Sequence, residues 1–260
     1  MSRSIAIGDV HGCYYTLQKL LEKLRYSEDD QLYFLGDVIG KGPHSELVLD
    51  FVINSGSNML LGNHEIAWLK HYLKPTDKPD FIKLSQHSQA SAWFEYLKNR
   101  PFVIDHDDSL LVHASVDPSW DLQTTKALSS ELSQSLIKDP QAFFKRLKQP
   151  ALLRWHDNLV EGERYYMLLQ IFTRCRYYNQ DLSLNLESTA SPEESDLIPW
   201  YTLPRKFKQS CVFGHWASLG GRDLDQDYHL DGGCVYGGQL MAMDLESKEC
   251  WQCERVDKDG

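Results

Sequence analysis

Five short runs rich in β-branched and aliphatic residues punctuate the chain, at residues 4–7, 31–35, 58–61, 110–112 and 211–213. Each is too short for a helix and apolar enough to be covered on both faces, which predicts buried strands. Between the early runs the apolar period lengthens to that of a helix. Leu17, Leu20, Leu21 and Leu24 recur at i, i+3, i+4 and i+7; Pro43 can open a helix carrying Leu47, Val48 and Phe51; and residues 65–73 continue after the third run. A βαβαβα opening predicts an α/β protein with a mainly parallel sheet, helices on its faces and ligands beyond the carboxyl ends of its strands. Further along, residues 122–149 and 161–172 read as helical. Residues 187–204, with three prolines, read as a long loop or lid, and residues 227–256 as strand-rich. Without a repeat, a low-complexity tract or a linker, residues 1–260 read as one domain with a helical insertion at about 122–172.

Composition narrows the class. Charged residues make up 25% and apolar residues 42% of 260 positions, ordinary globular usage. The formal net charge is −10, with no basic half or tail, which argues against general binding to DNA, RNA or an anionic membrane. No apolar run reaches the ~18 residues of a membrane span and no signal-like start is present, so a cytoplasmic protein is expected. The six cysteines are scattered, and the lone C-x-x-C pair, Cys250 and Cys253, has no second pair to complete a zinc site. Inert reduced thiols are expected.

The chemistry concentrates where the five runs end. They lead into Gly8-Asp9-Val10-His11, Gly36-Asp37, Gly62-Asn63-His64, His113 and Gly214-His215. Four of the five are introduced by glycine, which lets backbone come close to an ion or a phosphate. A lone D-x-H carries nothing, since composition alone predicts about one. The second occurrence, Asp227-Tyr228-His229, lacks the glycine and is assigned to ordinary structure. Gly36 to Lys41 is one residue short of a P-loop, and Gly42 stands where Ser or Thr would bind magnesium; His64-Glu65 is followed by Trp68 rather than the second histidine of a zinc protease.

The motifs GDVHG, GD with a glycine-rich turn, GNHE, a strand-ending HAS and GHW resemble the metallophosphoesterases of the serine/threonine phosphatase type. The segments at residues 118–124, 172–176, 191–194, 213–219 and 230–238 further resemble their bacterial branch of symmetrical dinucleoside tetraphosphatases. The resemblance implies a calcineurin-like αββα sandwich and two divalent ions. Asp9, His11 and Asp37 would hold the first, with Asp37 bridging to a second held by Asn63, His113 and His215. These donors suit manganese, cobalt, iron or zinc, and manganese is the ion the family implies. Two such ions bring +4 against −2 from Asp9 and Asp37, enough to attract a tetraphosphate and to ionise a water that attacks phosphorus in line.

The resemblance makes His64 the general acid and diadenosine tetraphosphate the substrate, split into two ADP, with nucleoside-tetraphosphate-capped RNA as a further candidate partner. Protein phosphatases carry an Asp and an Arg where this chain has Gly40 and Lys41, so His64 lacks its usual orienting carboxylate and Lys41 offers a point charge instead of a fork. ADP, with a terminal pKa near ~6, tolerates weak acid catalysis in a way that a serine alkoxide does not. Arg174 and Arg176 would share one face of an extended FTRCRYY segment and grip phosphate. Trp120 and Trp216 follow ligand-bearing loops and would either stack adenine or pack in the core. His44, His71, His87, His106 and His156 carry no spacing argument. A protein phosphatase of the same fold and a non-catalytic nucleotide sensor are the competing readings; the complete ligand set speaks against the sensor.

Overall fold

The computed structural model describes residues 2–258. The opening alternates as the apolar pattern predicts: β1 (Ser4–Ile7), α1 (Tyr14–Lys23), β2 (Gln31–Phe34), α2 (Ser45–Asn54), β3 (Asn58–Met59) and α3 (Asn63–Leu73). Helices α4 (Pro79–Ser85) and α5 (Ala90–Lys98) lead to the hairpin β4 (Val103–His106) and β5 (Ser109–Val112), followed by α6 (Leu122–Lys138), α7 (Pro140–Arg146) and α8 (Glu161–Thr173). The remainder is β6 (Tyr177–Tyr178), β7 (Leu184–Asn185), β8 (Ile198–Pro199), β9 (Ser210–Phe213), β10 (Arg222–Asp223), β11 (Tyr228–His229), β12 (Asp231–Gly232), β13 (Gln239–Asp244) and β14 (Cys250–Glu254).

The strands form two main sheets rather than one. The first runs β12-β13-β1-β2-β3 with β14 on β13; the second runs β10-β11-β9-β5-β4. β1, β2 and β3 are parallel, but β13 returns antiparallel to β1 and β4 antiparallel to β5. The expected mainly parallel sheet is thus corrected to two mixed sheets, because the strand-rich tail folds back beside β1.

Strand alternation explains why every early strand reads as continuously apolar. Ile5 and Ile7 face the helix-covered core while Ala6 faces the other sheet; Leu110 and Val112, and Cys211 and Phe213, likewise flank Leu111 and Val212. Ala6, Leu35, Leu60, Leu111, Val212, Met241 and Met243 form the inter-sheet layer. Both faces of each strand are therefore buried, as in a four-layer sandwich.

The expected helix over residues 122–149 is broken into α6 and α7, since Asp139 caps the second by accepting from Ala142 N at 2.9 Å and Pro140 cannot continue the first. Residues 187–204 are largely irregular, as expected, with β8 and two short 3-10 turns that bury Trp200. Among the described residues, no helix is long and apolar enough to cross a membrane.

Candidate metal centre

All five strand-end loops reach one place. The backbone ties them together: His11 N donates to the Asp37 carbonyl at 2.8 Å, and Gly214 N to the His113 carbonyl at 3.0 Å. Two side chains extend the network, Asp9 Oδ1 accepting from His215 N at 3.0 Å and Asp37 Oδ1 from His64 N at 2.8 Å. A Cβ on Gly62 would strike Asp37 Oδ1 at 2.2 Å and one on Gly214 would strike Asp9 Oδ1 at 2.1 Å, so glycine serves here for close approach. His11, Asp37 and His215 adopt left-handed φ values of 47°, 49° and 66°. Such backbone persists where the surroundings impose it, and Lys41, which lines a cavity with these residues, shares it with a φ of 63°.

The three expected imidazole ligands are oriented alike. His11 Nδ1 lies 3.1 Å from the Ile39 carbonyl, His113 Nδ1 2.8 Å from that of Leu35, and His215 Nε2 3.1 Å from that of Arg174. Each outer nitrogen must donate to its carbonyl, so each inner nitrogen presents a lone pair. Burial keeps all three rings neutral: His11 is pushed down to about 3, and His113 and His215 also lie below the usual histidine range. The inner nitrogens converge on Asp37, with His11 Nε2 at 3.5 Å from Oδ2 and His113 Nε2 at 3.6 Å from Oδ1. Donor atoms of His11, Asp37 and His64 lie within 4.8 Å of one another, as do those of Asp37, His113 and His215. Asp9 Oδ2 is 3.9 Å from His11 Nε2.

This donor set fits cations. One end of the Asn63 amide lies 2.8 Å from His215 Nδ1 and 3.3 Å from both Asp37 Oδ2 and the Thr173 carbonyl, all acceptors. An NH₂ group there donates to all three, and the oxygen that would hold a metal fits there only beside a positive ion. Buried carboxylates crowd the same volume: burial, together with nearby Asp231 and Asp37, pushes Asp9 well up, and burial with Asp37 pushes Asp231 up to about 6. Bound divalent charge relieves this repulsion.

The remaining predicted residues divide. His64 flanks the centre, its ring 4.6 Å from that of His11, and its Nδ1 has no partner among the described residues. Burial holds it below the usual histidine range. Lys41 and Arg176 line the same cavity of about 280 Å³ as His11, Asp37, Asn63 and His215. Arg176 also fixes the site by donating from Nη2 to the His215 carbonyl at 2.9 Å. Arg174 does not share its face: α8 runs through Thr173, so FTRCRYY is not extended, and Arg174 points to a neighbouring cavity.

Both tryptophans take the core alternative rather than stacking a base. Trp120 is 2% exposed and packs against Trp155 and Phe172, away from the cavity. Trp216 lines the cavity but is 1% exposed, its ring edge-on to Tyr177 and its Nε1 donating to the Ala190 carbonyl, leaving no free face for a base. Asp227 and His229 are structural as expected: Asp227 pairs with Arg205 at 2.7 Å, and His229 packs on Phe213.

Three residues of the site escape sequence reasoning. Glu65 is 0% exposed and accepts from Asp37, Val38, Ile39 and Gly62 N at 2.8 to 3.3 Å, pinning the Asp37 turn to α3. Asp231 lies buried in the cavity wall, and Tyr236 stands at its mouth with its ring 4.7 Å from Lys41 Nζ. Their only signal is membership of the GNHE and LDGGCVYGG segments.

Gly40 touches the orphaned ring: a Cβ there would lie 2.2 Å from His64 Nδ1, and its φ is +87°. Gly40→Asp, which would recreate the protein-phosphatase pairing, thus has no room. We expect the variant to melt lower than wild type and to gain no phosphate-ester hydrolysis; an unchanged melting temperature with raised ester turnover would contradict this.

The chain belongs to the calcineurin-like phosphoesterases, the family whose model matches residues 2–217. Among curated proteins it is 34% identical over 270 residues to a symmetrical bis(5'-nucleosyl)-tetraphosphatase of Glaesserella parasuis, covering 97% of this chain and 98% of the relative. It is 30% identical over 263 residues to one of Vibrio parahaemolyticus, covering 96% and 98%. These near full-length relatives place it in the symmetrical bis(5'-nucleosyl)-tetraphosphatase branch of the family. Two solved structures share the fold: one described as a "putative diadenosine tetraphosphatase" (TM-score 0.70, 23% identity, 99% and 95% covered) and a serine/threonine phosphatase from Saccharomyces cerevisiae (TM-score 0.58, 14% identity, 99% and 81% covered).

Proposed function

We propose that the protein is a phosphoanhydride hydrolase that cleaves diadenosine tetraphosphate at its centre, giving two ADP. The observation that carries this reading is the convergence of Asp9, His11, Asp37, Asn63, His113 and His215 from five strand ends, each imidazole locked by a backbone carbonyl. The relatives supply the substrate. Two divalent ions, held by these residues, would supply charge for the phosphate oxygens and lower the pKa of water; the mixed oxygen and nitrogen set without thiolate suits manganese, cobalt, iron or zinc, and the family resemblance favours manganese.

The chain's own residues do the rest. Asp37 faces both histidine groups and keeps the two halves in register. Arg176 and Lys41 draw phosphate into the cavity. Water oxygen bonds to one inner phosphorus as the bond from that phosphorus to the central bridging oxygen breaks; the departing ADP takes the electron pair and the water's protons pass to solvent. His64 stands beside the leaving side, where proton delivery helps a basic leaving group more than ADP.

The same anhydride occurs in a nucleoside-tetraphosphate cap on RNA, which enters this reading as a second substrate. We also read residues 1–260 as one domain with α6 to α8 as the insertion, in a cytoplasmic setting supported by cysteines without disulfides.

Purified protein with manganese should turn over diadenosine tetraphosphate far faster than a phosphoserine peptide; the reverse preference would favour a protein phosphatase, and no turnover of either a nucleotide sensor. His64→Asn should retain metal, lose within about tenfold on the dinucleotide and about 100-fold or more on an alkyl phosphate ester. Equal deficits on both substrates would assign His64 a different task.

A further inference from the structure

A second cavity, of about 440 Å³, lies between α3, α4, α7 and α8 beside the metal centre. Its lining includes the cations Lys70, Lys78 and Arg174 and the aromatics Phe81, Phe144 and Tyr166, and it contains no Asp or Glu. In a chain with 37 acidic and 27 basic residues that is a marked departure. None of the three cations is ion-paired among the described residues, and Lys78 Nζ sits 5.1 Å from the centre of the Phe81 ring. The neighbouring cavity around Lys41 and Lys83 differs, for Glu46 and Asp80 line it and Lys83 pairs with Glu46 at 3.4 Å.

The cavity shares walls with the reacting site. Thr173 and Arg174 line it, and their carbonyls contact the Asn63 amide and His215 Nε2. His64 stands between the two spaces, its ring 4.6 Å from that of His11 and 6.1 Å from that of Phe81. A group leaving past His64 therefore meets Phe81 and Lys78.

We propose that this cavity holds the departing half of the substrate, a nucleoside diphosphate, with its phosphates among Lys70, Lys78 and Arg174 and its base against Phe144 and Tyr166. This rests on the dinucleotide reading given above. A nucleoside diphosphate carries about three negative charges near neutral pH, matched here by three unpaired cations. Aromatic faces beside phosphate-binding cations are the usual receptor for a base. Such a subsite also explains how a protein with a surplus of negative charge selects a large polyanion with two nucleosides rather than phosphate alone.

Calorimetric titration of ADP and of inorganic pyrophosphate into the full chain in chelator tests this without turnover. Wild type should bind ADP; Lys70→Glu and Lys78→Glu, both at exposed positions, should each weaken it at least fivefold. Phe144→Ala should weaken ADP at least fivefold and leave pyrophosphate within twofold. Melting curves matching wild type establish that each variant is folded; should Phe144→Ala fail this, the two lysine variants decide. Unchanged ADP affinity in folded variants, equal losses for both ligands in Phe144→Ala, or no ADP binding by wild type would each overturn the proposal. Wild-type hydrolysis of the dinucleotide alongside such a result would leave the enzymatic reading standing, whereas absence of hydrolysis would remove that reading itself.

Discussion

Asp37→Asn should cost more metal and more turnover than any other single change at the centre, and more than Asp9→Asn in particular. Asp37 belongs to both groups of converging donors, with one carboxylate oxygen 3.5 Å from His11 Nε2 and the other 3.6 Å from His113 Nε2. The amide would remove the charge common to both halves and turn N–H groups toward a lone pair that needs a cation. Asp9 belongs to neither group: it stands 3.9 Å from His11 Nε2 and accepts from His215 N. Loss of a residue that merely supports a ligand typically costs ~10–100-fold in metal affinity, so a bridging ligand should exceed ~100-fold. Elemental analysis of metal per chain, read beside turnover, checks it. Asp9→Asn losing more of both than Asp37→Asn would overturn the bridging assignment.

Glu65→Gln should be the most destabilising conservative change in the protein. Burial, with nearby Asp37, pushes Glu65 up to about 8, but four backbone N–H donors converge on its two oxygens and favour the ionised form. Glutamine offers one oxygen and sets an NH₂ against the other donors, stranding at least one in the interior. Hydrogen bonds to charged groups contribute ~1.5–3 kcal/mol each, and an N–H left unpaired in the interior costs a further ~1–3 kcal/mol. For a chain of this length that corresponds to a fall in melting temperature of roughly 10 °C. Since the pinned turn carries Asp37, metal affinity should fall as well, although Glu65 touches no other ligand side chain. A variant melting within 2 °C of wild type with full metal content would show that the Asp37 turn is held by other contacts.

The site was legible because its logic is local. A buried strand, a tight exit and a donor residue lie next to one another in the sequence at Asp9, Asp37, Asn63, His113 and His215, and the structure brings those loops together. What escaped depends on contacts between distant segments. Glu65 acts across 26 to 28 residues on Val38, Ile39 and Asp37, and nothing in its helix distinguishes it from an N-terminal acidic residue. Arg174 and Arg176 parted because α8 extends to Thr173, a boundary that periodicity does not fix. Trp120 and Trp216 illustrate a further ambiguity, for an aromatic near a ligand loop serves core or substrate alike until burial is known. The two sheets follow from the family resemblance rather than from the apolar pattern, since strand β13 pairs with β1 from more than 230 positions away. By contrast α5, left unassigned by the early pattern, buries Ala90, Trp93, Phe94 and Leu97 with the same stripe that marks α1.

The central claim is that attack falls on an inner phosphorus of a dinucleoside tetraphosphate positioned symmetrically about the centre. Chromatography of the products from diadenosine tetraphosphate, with manganese and before any secondary hydrolysis, tests it directly. ADP as the sole nucleotide, two per substrate consumed, is the predicted result. ATP and AMP in equal amounts would place the broken bridge between an outer and an inner phosphorus and contradict the account.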